Sequence, residues 1–160
     1  MKKALLICSL IMLVSLIFGQ KSLYDIAFDA PLAETEAMLK SKGFMEINRV
    51  GGDITYNSDT IPNLLLLQIR MNDDKNAVQG WELRYDLSQD SDVEPYVIDM
   101  LKEIHGEYQV YNDYDYDYIW YFPNDKALYV SVYSSGRLVL YYTNGNWDDD
   151  DYYYYEDYGW

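Results

Sequence analysis

Two similar patterns of helix and strands recur along the chain, and this repeat constrains the fold more than any other feature. Apolar residues recur at helical spacing before Gly43 and again before Gly106, and glycine is a typical helix stop. These glycines are 63 positions apart, and at the same shift LLLLQIR from Leu64 falls on ALYVSVY from Ala127. Self-similarity at a fixed period predicts tandem units with the same supersecondary structure.

Each unit is predicted to begin with a helix. The first helix follows Asp29, which can cap it, with Pro31 in its first turn. For the second helix, Ser91 and Glu94 have the spacing of a capping box. A short strand over 24–28 is predicted before the first helix.

Each helix is followed by about four segments with the alternation typical of antiparallel strands. They are 44–49, 53–57, 64–70 and 81–86 in the first unit, and 107–111, 116–122, 127–133 and 138–143 in the second. The units differ most in one turn, which reads NDDKNAVQG in the first and SSG in the second. Turns tolerate such length differences. We predict a two-layer α+β fold, in which two helices cover one face of an antiparallel sheet.

The chain divides into a signal peptide (1–19), two repeats (20–86 and 87–143) and an acidic, tyrosine-rich tail (144–160). Two copies of a helix and an antiparallel meander in a small exported chain resemble the β-lactamase inhibitory protein-like fold. Small envelope lipoproteins of the SmpA/OmlA type are similar. The resemblance is one of topology over about residues 23–143. It implies a binding or inhibitor-type module, but the missing lipid-attachment cysteine departs from the envelope lipoproteins.

The first residues have the layout of a secretory signal peptide. Lys2 and Lys3 precede an apolar run at 4–18, and Gly19 supplies a small residue for cleavage. This run is shorter than the roughly 20 apolar residues of a membrane helix. The protein is therefore predicted to be exported, to the periplasm or the extracellular space, and to meet a membrane only if the leader stays uncleaved. Cys8 is the only cysteine, so the mature chain has no thiol.

The charge and the motifs exclude several classes of function. With 12 basic and 27 acidic residues, a net charge of −15 repels phosphate backbones, so nucleic acid is excluded as a partner. His105 is the only histidine and lies in a helical last turn, where a cation is favoured. The sequence has no nucleophile elbow and no phosphate-binding loop. We therefore predict a non-enzymatic protein that needs no cofactor.

Alternation assigns the strand side chains to two faces. In the first unit Leu65, Leu67 and Ile69 are predicted to face the helices, and in the second Ile119 and Tyr121 do so. The residues predicted on the opposite, exposed face are Tyr116, Tyr118, Trp120, Tyr129, Tyr133 and Tyr141. A slip of one residue would instead put Trp120 in the core.

An exposed aromatic patch indicates a contact surface. Tyrosine and tryptophan are common anchors in protein interfaces, so a protein partner is the first hypothesis. A glycan that stacks on the same rings is the alternative. A third hypothesis is an irregular cation site at Asp113, Asp115 and Asp117, which match positions 1, 3 and 5 of a calcium loop. The loop lacks the glycine and the glutamate that such a site needs at positions 6 and 12.

The tail combines four successive acids, 148–151, with many aromatic residues. It has neither helical nor strand periodicity, so we predict a low-complexity segment. It could be free, pair as an edge strand or cover the aromatic face.

Overall fold

The computed structural model describes residues 22–90, 92–111 and 116–144. They include two α-helices, α1 (Leu32–Ser41) and α2 (Val93–His105). The strands are β1 (Met45–Val50), β2 (Asp53–Asn57), β3 (Leu64–Met71), β4 (Val78–Asp86), β5 (Val110–Tyr111), β6 (Tyr118–Phe122), β7 (Lys126–Tyr133) and β8 (Arg137–Asn144). An α+β fold with an antiparallel sheet is therefore confirmed. The predicted signal peptide and the tail beyond Asn144 lie outside the described residues.

The eight strands form one sheet in the order β1-β2-β3-β4-β8-β7-β6-β5. Neighbours in the chain pair as antiparallel hairpins within β1–β4 and within β5–β8. The last strands of these two meanders, β4 and β8, pair with each other in the middle of the sheet. Strand β8 therefore has a hydrogen-bonded neighbour on each side.

Alternate strand side chains and the buried side chains of both helices belong to one hydrophobic core. The largest fully buried residues are aromatic and include Trp81, Trp120, Tyr142 and Phe28. The Trp81 ring stacks on Tyr142 and also contacts Phe28, with centroids 4.6 Å apart in both pairs. Aromatic pairs of this kind add about 0.5–1.5 kcal/mol beyond the area that they bury.

The helix stops are confirmed, but the predicted start of α1 is wrong. Gly43 and Gly106 follow the helices with φ angles of +87° and +81°, which suit glycine. Residue Pro31, rather than Asp29, precedes the first turn of α1. The Asp29 carboxylate instead pairs with Lys126 Nζ at 2.7 Å. Asp92 is the N-cap of α2, and Ser91 lies outside the described residues.

The strand predicted over 24–28 is also wrong, because the chain there forms a 3-10 turn, Leu23–Asp25. Tyr24 and Asp25 both have positive φ angles, which a strand does not allow. This turn lets Leu23, Ile26 and Phe28 all enter the core. Their spacing of three and then two residues does not fit strand alternation.

The predicted register of β6 is wrong by one residue. Trp120 pairs with Leu128, its side chain is 0% exposed, and its indole N–H donates to the Gly106 carbonyl at 2.8 Å. Tyr118 and Phe122 pack against the same core, whereas Ile119 and Tyr121 point to the other face. A three-residue turn, 123–125, joins β6 to β7 and fixes this register.

A bulge changes one further prediction. The pairing of β3 with β4 shifts between Leu64 and Leu66. As a result Leu64 enters the core, and Leu65, which we predicted to face the helices, is 45% exposed. A β-bulge inserts one residue and so reverses the face of the side chains before it.

Candidate binding surface

The face of the sheet opposite the core carries a group of tyrosines around buried charges, and we call it the tyrosine face. Its members are Tyr116, Tyr129, Tyr133, Tyr141, Arg70, Glu82 and Arg84. Tyr129 and Tyr141 lie directly opposite each other on β7 and β8, and Glu82 lies opposite Tyr141 on β4. Directly opposed residues in an antiparallel sheet have their side chains within contact distance. Strands β4, β8 and β7 thus align the Glu82 carboxylate, the Tyr141 phenol and the Tyr129 phenol in one row across the sheet.

Glu82 and Arg84 form an ion pair at the centre of this face. Arg84 Nε donates to Glu82 Oε1, and both side chains are largely buried. Burial raises the pKa of the Glu82 carboxyl, while the hydrogen bond from Arg84 acts in the opposite direction. Burial lowers the pKa of Arg84, but Glu82 and the nearby Tyr141 and Tyr133 outweigh this effect. The pKa of Arg84 is therefore raised, and the guanidinium stays charged. The strand order therefore brings the ion-paired guanidinium of Arg84 near the phenols of Tyr141 and Tyr133.

A second polar group lies beside this pair on β2 and β3. Gln68 Nε2 donates to Asp53 Oδ2 at 2.8 Å, and Arg70 Nε lies 3.6 Å from Asp53 Oδ1. Gln68 is directly opposite Glu82, so the two groups are continuous across the sheet. The part of the tyrosine face on β2, β3 and β4 is thus polar, and the part on β7 and β8 is aromatic.

The tyrosines are held in place by contacts. The rings of Tyr116 and Tyr129 lie 4.5 Å apart with an interplanar angle of 36°. Tyr116, Tyr129, Tyr133 and Tyr141 each take part in at least one interaction. Each is only partly exposed. Rigid aromatic side chains lose little conformational entropy on binding, which suits them to be anchors.

Four of the six predicted site residues lie on this face, and two do not. Tyr129, Tyr133 and Tyr141 lie where the alternation of β7 and β8 places them. Tyr116 precedes β6 and lies at this face through its ring contact with Tyr129. Trp120 belongs to the core, and Tyr118 packs against the core at the edge of the sheet. The Tyr118 hydroxyl donates to Glu94 Oε1 at 3.4 Å, and burial raises its pKa to about 12. Neither residue can contact a partner at the tyrosine face.

Of the three aspartates in the predicted cation site, Asp117 is the one that the structure describes. Asp117 Oδ2 accepts the backbone N–H of Val132 at 2.6 Å, which ties β6 to β7. Asp113 and Asp115 lie outside the described residues. In the part of the chain that the structure describes, no three acidic, histidine or cysteine side chains come together as a metal site.

His105 is the last residue of α2, but it is not a charged cap. Its Nε2 lies 3.0 Å from the Tyr142 hydroxyl, and its ring centroid is 5.0 Å from that of Phe122. Burial lowers the pKa of His105 to about 4, so the ring is neutral at physiological pH. The half-buried ring packs against the side chains of Tyr142 and Phe122.

Sequence reasoning found the tyrosines but missed the buried ion pair. Alternation in the sequence assigns Glu82 and Arg84 to the outward face, where charged side chains are expected to be in water. The sequence signal was opposite charges two residues apart on a strand, which share a face. Their burial depends on the partner strands, because Val139 lies directly opposite Arg84 on β8.

Comparisons with protein-family models, with curated proteins and with solved structures find no match for this chain. The resemblance in topology therefore remains a prediction. Among the described helices, neither is long and apolar enough to cross a membrane.

Proposed function

We propose that this protein is an exported, non-enzymatic binding module that holds a partner protein on its tyrosine face. The observation that carries the proposal is the buried Arg84–Glu82 pair with Tyr133 and Tyr141 near it and Tyr129 directly opposite Tyr141. Tyrosine and arginine are the residue types that dominate protein interfaces energetically. The phenol rings offer apolar area, and their hydroxyl groups and the charged pair offer polar contacts.

The proposed architecture is a tandem repeat of a helix and four strands, with both helices on one face of the sheet. The strand order supports this, since two meanders joined through their last strands give the order β1-β2-β3-β4-β8-β7-β6-β5. The shared core of α1, α2 and the sheet supports the position of the helices. Such an arrangement leaves the tyrosine face for a partner.

The proposed location is outside the cytoplasm, after cleavage near Gly19. Its support is the leader pattern of the first 19 residues. The partner would then be an envelope or extracellular protein. The net charge of −15 favours a partner with a basic surface around its contact site.

The test is capture of a partner from an envelope extract with immobilised protein. Tyr129, Tyr133 and Tyr141 are changed together to Ser in the test variant. The matched control changes Tyr96 and Tyr111 to Ser, because both are exposed and lie off the tyrosine face. We expect the control to capture the same protein as the wild type and the triple variant to lose it.

Circular dichroism establishes first that both variants are folded. Equal capture by a folded triple variant would overturn the proposal. Loss of capture in the control as well would point to a different surface.

A glycan-binding module is the second candidate. It is favoured by the adjacent rings of Tyr116 and Tyr129, since the C–H faces of sugars stack on aromatic rings. Saturable binding on a glycan array, lost in the triple variant, would support it. An array without saturable binding would exclude it in favour of a protein partner.

A further inference from the structure

We propose that the edge strand β1 pairs with β1 of a second copy of this chain, so that the protein forms a weak two-fold dimer. In the part of the chain that the structure describes, β1 pairs with β2 on one side and with no strand on the other. All six residues of β1 are exposed. An exposed edge presents backbone N–H and C=O groups in a row, and an added antiparallel or parallel strand is the partner that fits them.

The two edges of the sheet differ in how well they are protected. Strand β5, at the other edge, has only two residues. Proteins commonly protect an edge with a short strand, a proline or a lysine. Strand β1 is longer and contains neither proline nor lysine, and its Met45, Ile47 and Val50 are 49%, 58% and 66% exposed. Of the two edges, β1 is therefore the one suited to pairing.

A bulge gives β1 the same order of side-chain faces when it is read in either direction. The register with β2 shifts between Glu46 and Asn48, so Ile47 is the extra residue. As a result Glu46 and Arg49 both lie opposite core residues of β2, and they form an ion pair of 2.6 Å. The first and last residues of β1 both lie on the other face, opposite polar residues of β2. Turning the strand end for end therefore exchanges residues that share a face.

This symmetry favours one antiparallel register, with the two-fold axis beside the bulge. In that register Glu46 of one copy lies opposite Arg49 of the other, and Met45 lies opposite Val50. Each of these contacts occurs twice, as a two-fold interface requires. Opposite charges and apolar pairs at directly opposed positions stabilise antiparallel strands. The strand is thus complementary to itself in charge and in apolar surface, which selects a second copy as its occupant.

The net charge of −15 opposes the association of two copies. Charges further apart than about 8 Å are largely screened at physiological ionic strength, so the charges at the interface matter most. Within each copy Arg49 already pairs with Glu36 and Glu46, which leaves this edge one negative charge in excess. The second Glu46 that Arg49 meets in the dimer is therefore a modest gain, and a single strand pair is a small interface. For both reasons we expect a weak dimer.

The dimer has a consequence for the tyrosine face. Because opposed residues share a face, the two-fold axis is perpendicular to the sheet. Both tyrosine faces then lie on the same side of a sheet of sixteen strands, eight from each copy. A partner with two contact sites would bind both faces and gain avidity. This consequence rests on the proposed function, whereas the dimer itself does not.

The test is sedimentation equilibrium of the protein over a range of concentrations, with the charges of β1 exchanged. Glu46→Arg places arginines opposite each other across the axis, and Arg49→Glu places glutamates there. Each variant alone should pair poorly, whereas an equimolar mixture restores both contacts between opposite charges. The matched controls Glu103→Arg and Lys102→Glu make the same changes of charge on α2. Circular dichroism establishes first that all variants are folded.

We expect the wild type to dimerise with a dissociation constant on the order of 100 µM, as suits a small interface. Each β1 variant should dimerise about tenfold more weakly, the mixture of the two should recover the wild-type affinity, and both controls should match the wild type. These results together would support the inference.

A wild type that stays monomeric at about 1 mM would overturn it and would leave the edge to a strand of another protein. A dimer that neither β1 variant weakens would overturn it too, since the interface would then lie elsewhere. A mixture that pairs no better than its components would overturn the register on which the choice of a second copy depends. No partner protein is present in this experiment, so its failure is distinct from failure of the capture experiment.

Discussion

The two faces of the sheet both contain aromatic residues, but they use them differently. On the core face Trp81, Trp120 and Tyr142 are fully buried, and their polar atoms are mostly paired within the fold. On the tyrosine face the rings of Tyr129 and Tyr141 stay partly exposed around a buried ion pair. The difference teaches that aromatic content alone does not mark a binding surface. The register of each strand decides which rings stabilise the fold and which can contact a partner.

The largest expected effect is on the core face of β6. Trp120→Ala removes a fully buried ring and leaves the Gly106 carbonyl without its indole donor, so we expect a loss of about 3–5 kcal/mol in the free energy of unfolding. Tyr121→Ala, on the neighbouring exposed residue, should cost within about 0.5 kcal/mol. Urea unfolding measures both. Similar losses for the two variants would contradict the register described above.

Strand β6 also shows what could not be predicted from the sequence, namely its register. For most strands the polar and apolar residues alternate, and the predicted bounds agree with the observed ones within a few residues. From Tyr118 to Phe122 every side chain is aromatic or apolar. No polar residue in the strand therefore indicates which face is exposed to solvent. The register is set by the turn at 123–125 and by the bond from Trp120 to Gly106, a contact between distant residues.

Other misses have equally local causes. The bulge between Leu64 and Leu66 leaves no mark in an all-leucine run. Asp29 fits a helix cap by sequence, but its partner Lys126 comes from the other half of the chain. Of the candidate surface, alternation could predict the orientation of the β7 and β8 tyrosines. The burial of Glu82 could not be predicted without the strand order, which places β8 beside β4.

The second effect concerns the ion pair of the tyrosine face. Glu82→Ala leaves the largely buried Arg84 without its carboxylate, so we expect a loss of about 2–3 kcal/mol in unfolding free energy. The double variant Glu82→Leu, Arg84→Met leaves no uncompensated charge and should cost less. Thermal and urea unfolding compare the two. A double variant less stable than Glu82→Ala would mean that the pair contributes more than the burial of its charges costs.

The third effect is a pH dependence that belongs to the core face. The folded-state pKa of His105 is about 4, below the usual value of about 6.5, so the unfolded chain binds the proton more readily between these values. Stability is therefore fully present above pH 6.5 and is lost as the pH falls toward 4. For this partly exposed ring we expect on the order of 1–2 kcal/mol.

The control for this prediction is His105→Gln, which keeps a polar contact to Tyr142 but has no ring proton to gain. Glu82, whose pKa is raised by burial, contributes in the opposite direction, and it does so equally in both proteins. The difference between the two unfolding curves isolates His105. A pH-independent difference would contradict the assignment of a neutral ring.

The smallest effect is on the stability contributed by the exposed tyrosines. Tyr129→Ser removes one cross-strand pair with Tyr141 and the ring contact with Tyr116, so we expect a loss of about 1 kcal/mol or less. Urea unfolding at neutral pH measures it. A loss as large as that of Trp120→Ala would show that the tyrosine face stabilises the fold as strongly as the core does.

The most direct test of separate roles for the two faces is the affinity of the captured partner. Its dissociation constant is measured by titration for the wild type, for the variant with Tyr129, Tyr133 and Tyr141 changed to Ser, and for the Tyr96, Tyr111 control. We predict at least tenfold weaker binding for the triple variant, which corresponds to about 1.4 kcal/mol, and unchanged binding for the control. Equal dissociation constants for all three folded proteins would contradict a binding role for the tyrosine face.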